Sequence, residues 1–183
     1  MASSEKGKFM RNVFFPDEYL ESTFSVDFEK LYKKGYRGVL FDIDNTLVPH
    51  DAPADARAIE LFERLHRIGY RTCLISNNDE ERVKSFCDQV GSQYIHKANK
   101  PLPGGYLRGM KSIGTRLDNT LFVGDQIFTD VMGARIAGLR SILVKPINPK
   151  EEIQIVLKRI PERLVLFLYK RKERRKKRRH KNS

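Results

Sequence analysis

The sequence predicts an α/β fold, a three-layer sandwich whose middle layer is a five-stranded, mainly parallel sheet. Three observations carry this expectation. Short apolar runs alternate along the chain with helix-length amphipathic segments, the order expected of parallel strands joined by crossover helices. The runs, Gly38-Val39-Leu40-Phe41 foremost, are nearly all apolar rather than alternating, which marks strands covered on both faces. Polar residues able to do chemistry gather just after several of these runs, and open parallel sheets carry their sites at the carboxyl ends of strands.

Residues 1–35 read as a lead-in, polar as far as residue 12, with a short helix near Asp27 to Lys33 closed by Gly35. The body is expected to run from 36 to 157. Its first strand is Gly38 to Phe41, followed by a loop over Asn45 to Asp55 that contains Pro49 and Pro53. Ala56 to Ile68 is helical, because Ile59, Leu61, Phe62, Leu65 and Ile68 draw a broad apolar stripe that stops at Gly69. Thr72 to Ile75 is the second strand. Asp79 to Gln89 is the next helix, with Asp79 as its N-cap. Tyr94-Ile95 is a short third strand, Pro103 to Lys111 a helix, and Thr120 to Val123 a fourth strand. Thr129 to Ala137 is helical and stops at Gly138, Arg140 to Val144 is the fifth strand, and Glu151 to Leu157 is a last helix. Residues 158–183 form a basic C-terminal tail.

The formal charge of +12 is concentrated at one end. From Lys158 onward there are 13 Lys/Arg and two Asp/Glu, leaving 22 and 21 for the preceding residues, so the body is nearly neutral. The tail joins an apolar hexamer, Leu164 to Tyr169, to a basic run from Lys170 to Lys181. It has three readings: a solvated charge run, an anchor to an anionic membrane surface, or a contact for RNA. No apolar run approaches the ~20 residues of a spanning helix, and the first residues lack the apolar core of a secretory signal. A cytoplasmic protein, at most peripheral to a membrane, is therefore expected. Cys73 and Cys87 lie in apolar runs without metal-ligand spacing and read as buried thiols.

Four strand ends supply the candidate site. The first gives Asp42 and Asp44, followed by Asn45 and Thr46; the second gives Ser76, Asn77 and Asn78. Lys100 follows the third, and the fourth gives Gly124-Asp125, with Asp130 five residues on. Residues i and i+2 of a strand share a face, so the carboxylates at 42 and 44 can reach one pocket. One can attack an electrophile while the other moves protons. Clustered carboxylates repel, and a hard divalent cation with oxygen ligands removes that conflict. Lys100 and the Ser76 hydroxyl suit a phosphoryl group, whose charge spreads over its equatorial oxygens during transfer. His50, near the lip, reads as a flap or surface residue rather than a catalyst.

In this order, Asp42-x-Asp44-x-Thr46, Ser76, Lys100 and Gly124-Asp125-x4-Asp130 resemble the four motifs of the haloacid dehalogenase (HAD) phosphatase superfamily, over roughly Gly38 to Val144. The stretches Phe41 to Pro49 and Val123 to Gln126 are similar to the YqeG branch, which is related to mitochondrial phosphatidylglycerophosphate phosphatases. The resemblance implies a Rossmann-like, HAD-like fold and a Mg²⁺-dependent phosphomonoesterase. Asp42 would form an aspartyl-phosphate. Asp44 would protonate the leaving oxygen and then deprotonate the hydrolytic water. Ser76, Asn77, Lys100 and Thr46 would hold the phosphate, with Thr46 also stabilising the turn. Asp42, the main-chain carbonyl of Asp44, and Asp125 would ligate the metal, and Asp130 would support that site or orient Lys100. The implied substrate is phosphatidylglycerophosphate of phospholipid synthesis. The alternatives are a nucleotide or phosphorylated macromolecule, or an RNA- or ribosome-associated module acting through the tail.

Members of this superfamily often insert a cap domain between their first and second motifs, or between their second and third. Here 31 residues separate Asp44 from Ser76, and 23 separate Ser76 from Lys100. Neither gap holds a cap. An open site of this kind suits a phosphate carried on something large.

Overall fold

A computed structural model describes residues 13–148 of the chain. Its strands are β1 (Glu18–Leu20), β2 (Gly38–Phe41), β3 (Arg71–Ile75), β4 (Gln93–Ile95), β5 (Thr120–Gly124) and β6 (Arg140–Val144). They form one sheet in the order β1-β6-β5-β2-β3-β4, and every neighbouring pair is parallel. The helices are α1 (Phe28–Lys33), α2 (Ala56–Ile68), α3 (Glu80–Val90), α4 (Pro103–Ser112) and α5 (Met132–Ile136).

The sheet has six strands where the sequence predicts five. The extra strand is β1, three half-buried residues at the sheet edge. So short a segment carries no periodicity of its own, and its pairing partner lies more than 120 residues away: Glu18, Tyr19 and Leu20 stand opposite Ile142, Leu143 and Val144. Asp17 secures the start, accepting from Arg135 at 2.8 Å and from the Ser141 amide at 2.9 Å. The lead-in therefore supplies an edge of the sheet.

The two faces of the sheet read directly from strand alternation. Val39 and Phe41 of β2, Leu74 of β3, and Leu121 and Val123 of β5 pack with α1, α2 and α3 in one core. Leu40, Cys73, Ile75 and Phe122 point the other way, to Tyr106 of α4 and Ala134 of α5. Phe41 links the layers of the first core, its ring 6.1 Å from Phe28 and 5.3 Å from Phe62. Both cysteines are buried, as the sequence predicts.

Two local expectations change in detail. Asp79 stands at the N-cap position of α3 but makes no side-chain cap bond; its carboxylate meets Lys97 at 3.1 Å. The helix expected from Thr129 begins earlier, as a π-helical turn over Ile127–Val131 that runs into α5. Such turns are frequent at functional sites, and this one carries Asp130.

Between β2 and β3 lie only a loop and α2, and between β3 and β4 only α3 and its short connections, so no cap domain is present among the described residues. No described helix is long and apolar enough to cross a membrane. Residues 1–12, the helix expected at Glu151 to Leu157, and the tail at 158–183 lie outside the described residues.

The chain leaves β2 for β3 and β4 on one side, then returns to place β5 on the other. The strand order thus reverses at β2, and the crevice beyond the carboxyl ends of β2 and β5 is where such sheets bind ligands.

Candidate active site

β2 delivers the first two carboxylates. The ladder continues one residue past the strand, where the Asp42 amide donates to the Val123 carbonyl at 3.0 Å. The chain then turns tightly: Asn45 adopts a left-handed φ of 62°, a conformation that asparagine tolerates. Its amide meets the Val48 carbonyl at 2.7 Å, and the Leu47 amide meets the Ile43 carbonyl at 2.9 Å. The lead-in supports this turn through Thr23, whose buried hydroxyl donates to the Thr46 carbonyl at 2.8 Å. That support is absent from any motif reading, because Thr23 lies in a segment with no evident pattern.

Asp42, Thr46, Lys100, Asp125 and Asp130 come together as one buried group. Lys100 Nζ donates to Asp42 Oδ1 at 2.5 Å and to Asp130 Oδ1 at 2.8 Å. The Thr46 hydroxyl lies 3.4 Å from Asp42 Oδ2 and 3.3 Å from Asp125 Oδ1. Asp130 Oδ2 accepts from the Gln126 amide at 3.0 Å, so Asp130 both closes its own turn and holds the lysine. Gly124 makes this fit possible. A Cβ there would lie 2.5 Å from Asp130 Oδ2, closer than real Cβ contacts come.

Burial pushes the Asp42 carboxyl up to about 7, with Lys100 opposing the rise and Asp130 and Asp44 adding to it. Burial alone would lower the Lys100 ammonium, but the adjacent Asp130 and Asp42 outweigh it and hold that group above its ordinary range. The lysine therefore stays charged, and the carboxylates beside it compete for a single positive charge.

Asp44 faces a different set of partners. Its Oδ2 accepts from Asn78 Nδ2 at 2.6 Å, and its Oδ1 accepts from the Asp51 amide at 2.9 Å and from Arg82 Nη2 at 3.1 Å. His50 stands 3.9 Å from the same oxygen, on the exposed lip. The two aspartates, two residues apart at one strand end, are thus held by separate sets of partners.

Ser76 is buried and its hydroxyl accepts from the Asn78 amide at 3.1 Å. Asn77 clasps the main chain of Lys100, donating to its carbonyl at 3.2 Å and accepting from its amide at 2.7 Å. In this geometry Asn77 sets the backbone from which Lys100 reaches. The sequence places Asn78 at the strand end without its bond to Asp44, and motif reading passes over Arg82. The available signal for Arg82 was its place in the first turn of α3, which directly follows the strand-end residues Ser76 to Asn78.

Carboxylate oxygens of Asp42, Asp125 and Asp130 lie within 4.8 Å of one another. An all-oxygen, buried, anionic set with one lysine for compensation fits a hard divalent cation. The Asp44 carboxylate is outside this trio and groups instead with His50 and Asp51.

A family model for haloacid dehalogenase-like hydrolases matches residues 50–138. Probable phosphatase YqeG of Bacillus subtilis (strain 168) is 35% identical over 164 residues, covering 89% of this chain and 95% of that protein. The chain belongs to the haloacid dehalogenase-like hydrolases. Within this family it is also 31% identical, over 157 residues, to phosphatidylglycerophosphate phosphatase 1, chloroplastic/mitochondrial, of Arabidopsis thaliana. That match covers 80% of this chain but 44% of the plant protein. Among solved structures, the HAD phosphatase of Thermococcus onnurineus superposes with a TM-score of 0.52 at 15% identity, covering 64% of this chain and 89% of that one. The family's fold is therefore shared by this chain, which is a hydrolase.

Proposed function

We propose that this hydrolase is a Mg²⁺-dependent phosphomonoesterase working through an aspartyl-phosphate at Asp42. The observation that supports it best is the setting of Asp42: a buried carboxylate at the end of the central strand, gripped by Lys100 and grouped with Asp125 and Asp130.

An Asp42 carboxylate oxygen attacks phosphorus, and the bond from phosphorus to the leaving oxygen breaks. Asp44 gives its proton to that oxygen. It then takes a proton from the water that attacks the aspartyl-phosphate, which releases inorganic phosphate and restores Asp42. Lys100, Ser76 and Thr46 hold the phosphoryl oxygens, while Asn77 fixes the backbone of Lys100 and Asp130 fixes its ammonium. When bound, Mg²⁺ held by Asp42, Asp125 and the main-chain carbonyl of Asp44 would offset negative charge in the pocket.

For substrate we take phosphatidylglycerophosphate. Support comes from the name of the plant relative and from the absence of a cap among the described residues. The basic tail read from the sequence would hold such an enzyme on an anionic bilayer.

Hydrolysis of p-nitrophenyl phosphate with Mg²⁺ tests the reaction, and Asp42→Asn must abolish it; persisting turnover would sink the nucleophile. Turnover of phosphatidylglycerophosphate in vesicles, beside nucleotides and sugar phosphates, tests the substrate. Faster turnover of a soluble phosphate would move the enzyme out of lipid metabolism. Vesicle flotation of the full chain and of a chain ending at residue 157, each set beside RNA binding, assigns the tail.

A further inference from the structure

We propose that Arg82 is the positioning residue for proton transfer, holding Asp44 in the orientation that reaches the leaving oxygen. This rests on the reading of Asp44 as the group that exchanges the proton. Arg82 Nη2 donates to Asp44 Oδ1 at 3.1 Å and to the Ala52 carbonyl at 2.7 Å. The neighbouring Asp51 amide donates to that same Asp44 oxygen at 2.9 Å. Helix α3, the 49–55 loop and Asp44 are thereby joined in a closed ring of contacts, with Asn78 fixing the second carboxylate oxygen.

The guanidinium is seated, not dangling. Its side chain is 20% exposed, its carbon lies 5.7 Å from the centre of the Phe86 ring, and Nε is buried without a hydrogen bond, 4.0 Å from Asp51 Oδ1. An arginine kept for solubility would extend into water and satisfy that N–H there. A surface ion pair contributes ~0–1 kcal/mol and needs no second anchor on a loop carbonyl. Here the second anchor removes the rotational freedom of a carboxylate that must address one atom. Both bonds leave Nη2, whose two hydrogens diverge at fixed angles in the guanidinium plane; lysine, a point charge on a flexible stem, does not hold those directions.

The consequence is selective. A leaving group that departs readily as an anion needs little protonation, whereas a basic one depends on general acid catalysis, which contributes typically 10²–10⁴-fold. Arg82→Gln and Arg82→Lys in the full chain are to be assayed on p-nitrophenyl phosphate and on phenyl phosphate, two substrates of similar size with leaving groups of different basicity. The expected result in Arg82→Gln is that kcat/KM for phenyl phosphate falls about tenfold or more beyond the fall for p-nitrophenyl phosphate, with Arg82→Lys intermediate. Equal losses on both substrates, or none on either, would overturn the assignment. A crystal structure of Arg82→Gln decides independently of turnover. A rotated Asp44 carboxylate supports the assignment, and one left in place on Asn78 and the Asp51 amide refutes it. Failure of the wild-type protein to hydrolyse either ester would count against the phosphatase reading, leaving the crystal structure to judge Arg82.

Discussion

Replacing Asp42 with asparagine should inactivate the enzyme and stabilise its metal-free fold, and the size of the gain should depend on pH. The carboxyl is pushed from 3.8 to about 7, chiefly by burial. The folded protein thus binds this proton more tightly than the unfolded chain does. Its contribution is fully present below the unfolded value and is lost as pH rises from there through about 7. One unit corresponds to about 1.4 kcal/mol, so the full cost of ionising Asp42 in the fold approaches about 4 kcal/mol. Between pH 5 and pH 8 about 2–3 kcal/mol of that cost appears. Asparagine keeps the shape, accepts from Lys100 and does not ionise.

Thermal melting in EDTA should therefore show Asp42→Asn gaining on the wild type by roughly 5–10 °C more at pH 8 than at pH 5, taking about 2–4 °C per kcal/mol for a domain of this size. Millimolar Mg²⁺ should narrow the gap by stabilising the wild type more than the variant, which lacks one carboxylate of the set. Parallel melting curves across that pH range would refute the argument, because they would mean that Asp42 carries no strain in the fold.

Other predictions follow from individual contacts. Gly124→Ala forces the Asp130 carboxylate aside and should cost about 1–3 kcal/mol in urea unfolding, in the range of other overpacked sites, together with most phosphatase activity. Asn77→Ala removes both clasps on the Lys100 backbone; kcat/KM should fall about tenfold or more, at roughly 1 kcal/mol per lost bond. Burial pushes the thiols of Cys73 and Cys87 up to about 12, so a thiol reagent at pH 8 should label neither in the native protein and both after denaturation. Rapid labelling of the folded protein would contradict their burial.

The central strands were legible because their chemistry is local. Gly38 to Phe41 is apolar on both faces and ends in carboxylates, and the pattern recurs at Ile75-Ser76 and Val123-Gly124-Asp125. Lys100 was legible only through its order among those motifs, since nothing in Asn99-Lys100-Pro101 says that its ammonium lies between Asp42 and Asp130. The edge strand at Glu18–Leu20 was not legible, because its stability resides in Ile142 to Val144 and in the clasp of Asp17 on Arg135 and Ser141. Arg82 was missed for a related reason. Helical periodicity marks Val83, Phe86 and Cys87 of α3 as core, yet it does not say that the flank beside them reaches a strand-end aspartate.

The partners of Asp42 and Asp44 come from different parts of the molecule. Lys100 and Asp130 precede α4 and α5, the helices of the second core, whereas Asn78 and Arg82 belong to the entry into α3 and to α3 itself, in the first. In the proposed mechanism, the residues that grip the phosphoryl group and those that address the departing alcohol are therefore supported from opposite faces of the sheet. On that mechanism, sequence drift in α3 and the 49–55 loop would retune which esters are cleaved while the grip on phosphorus stays intact. One scaffold can in this way diversify its clientele by altering half of its mouth.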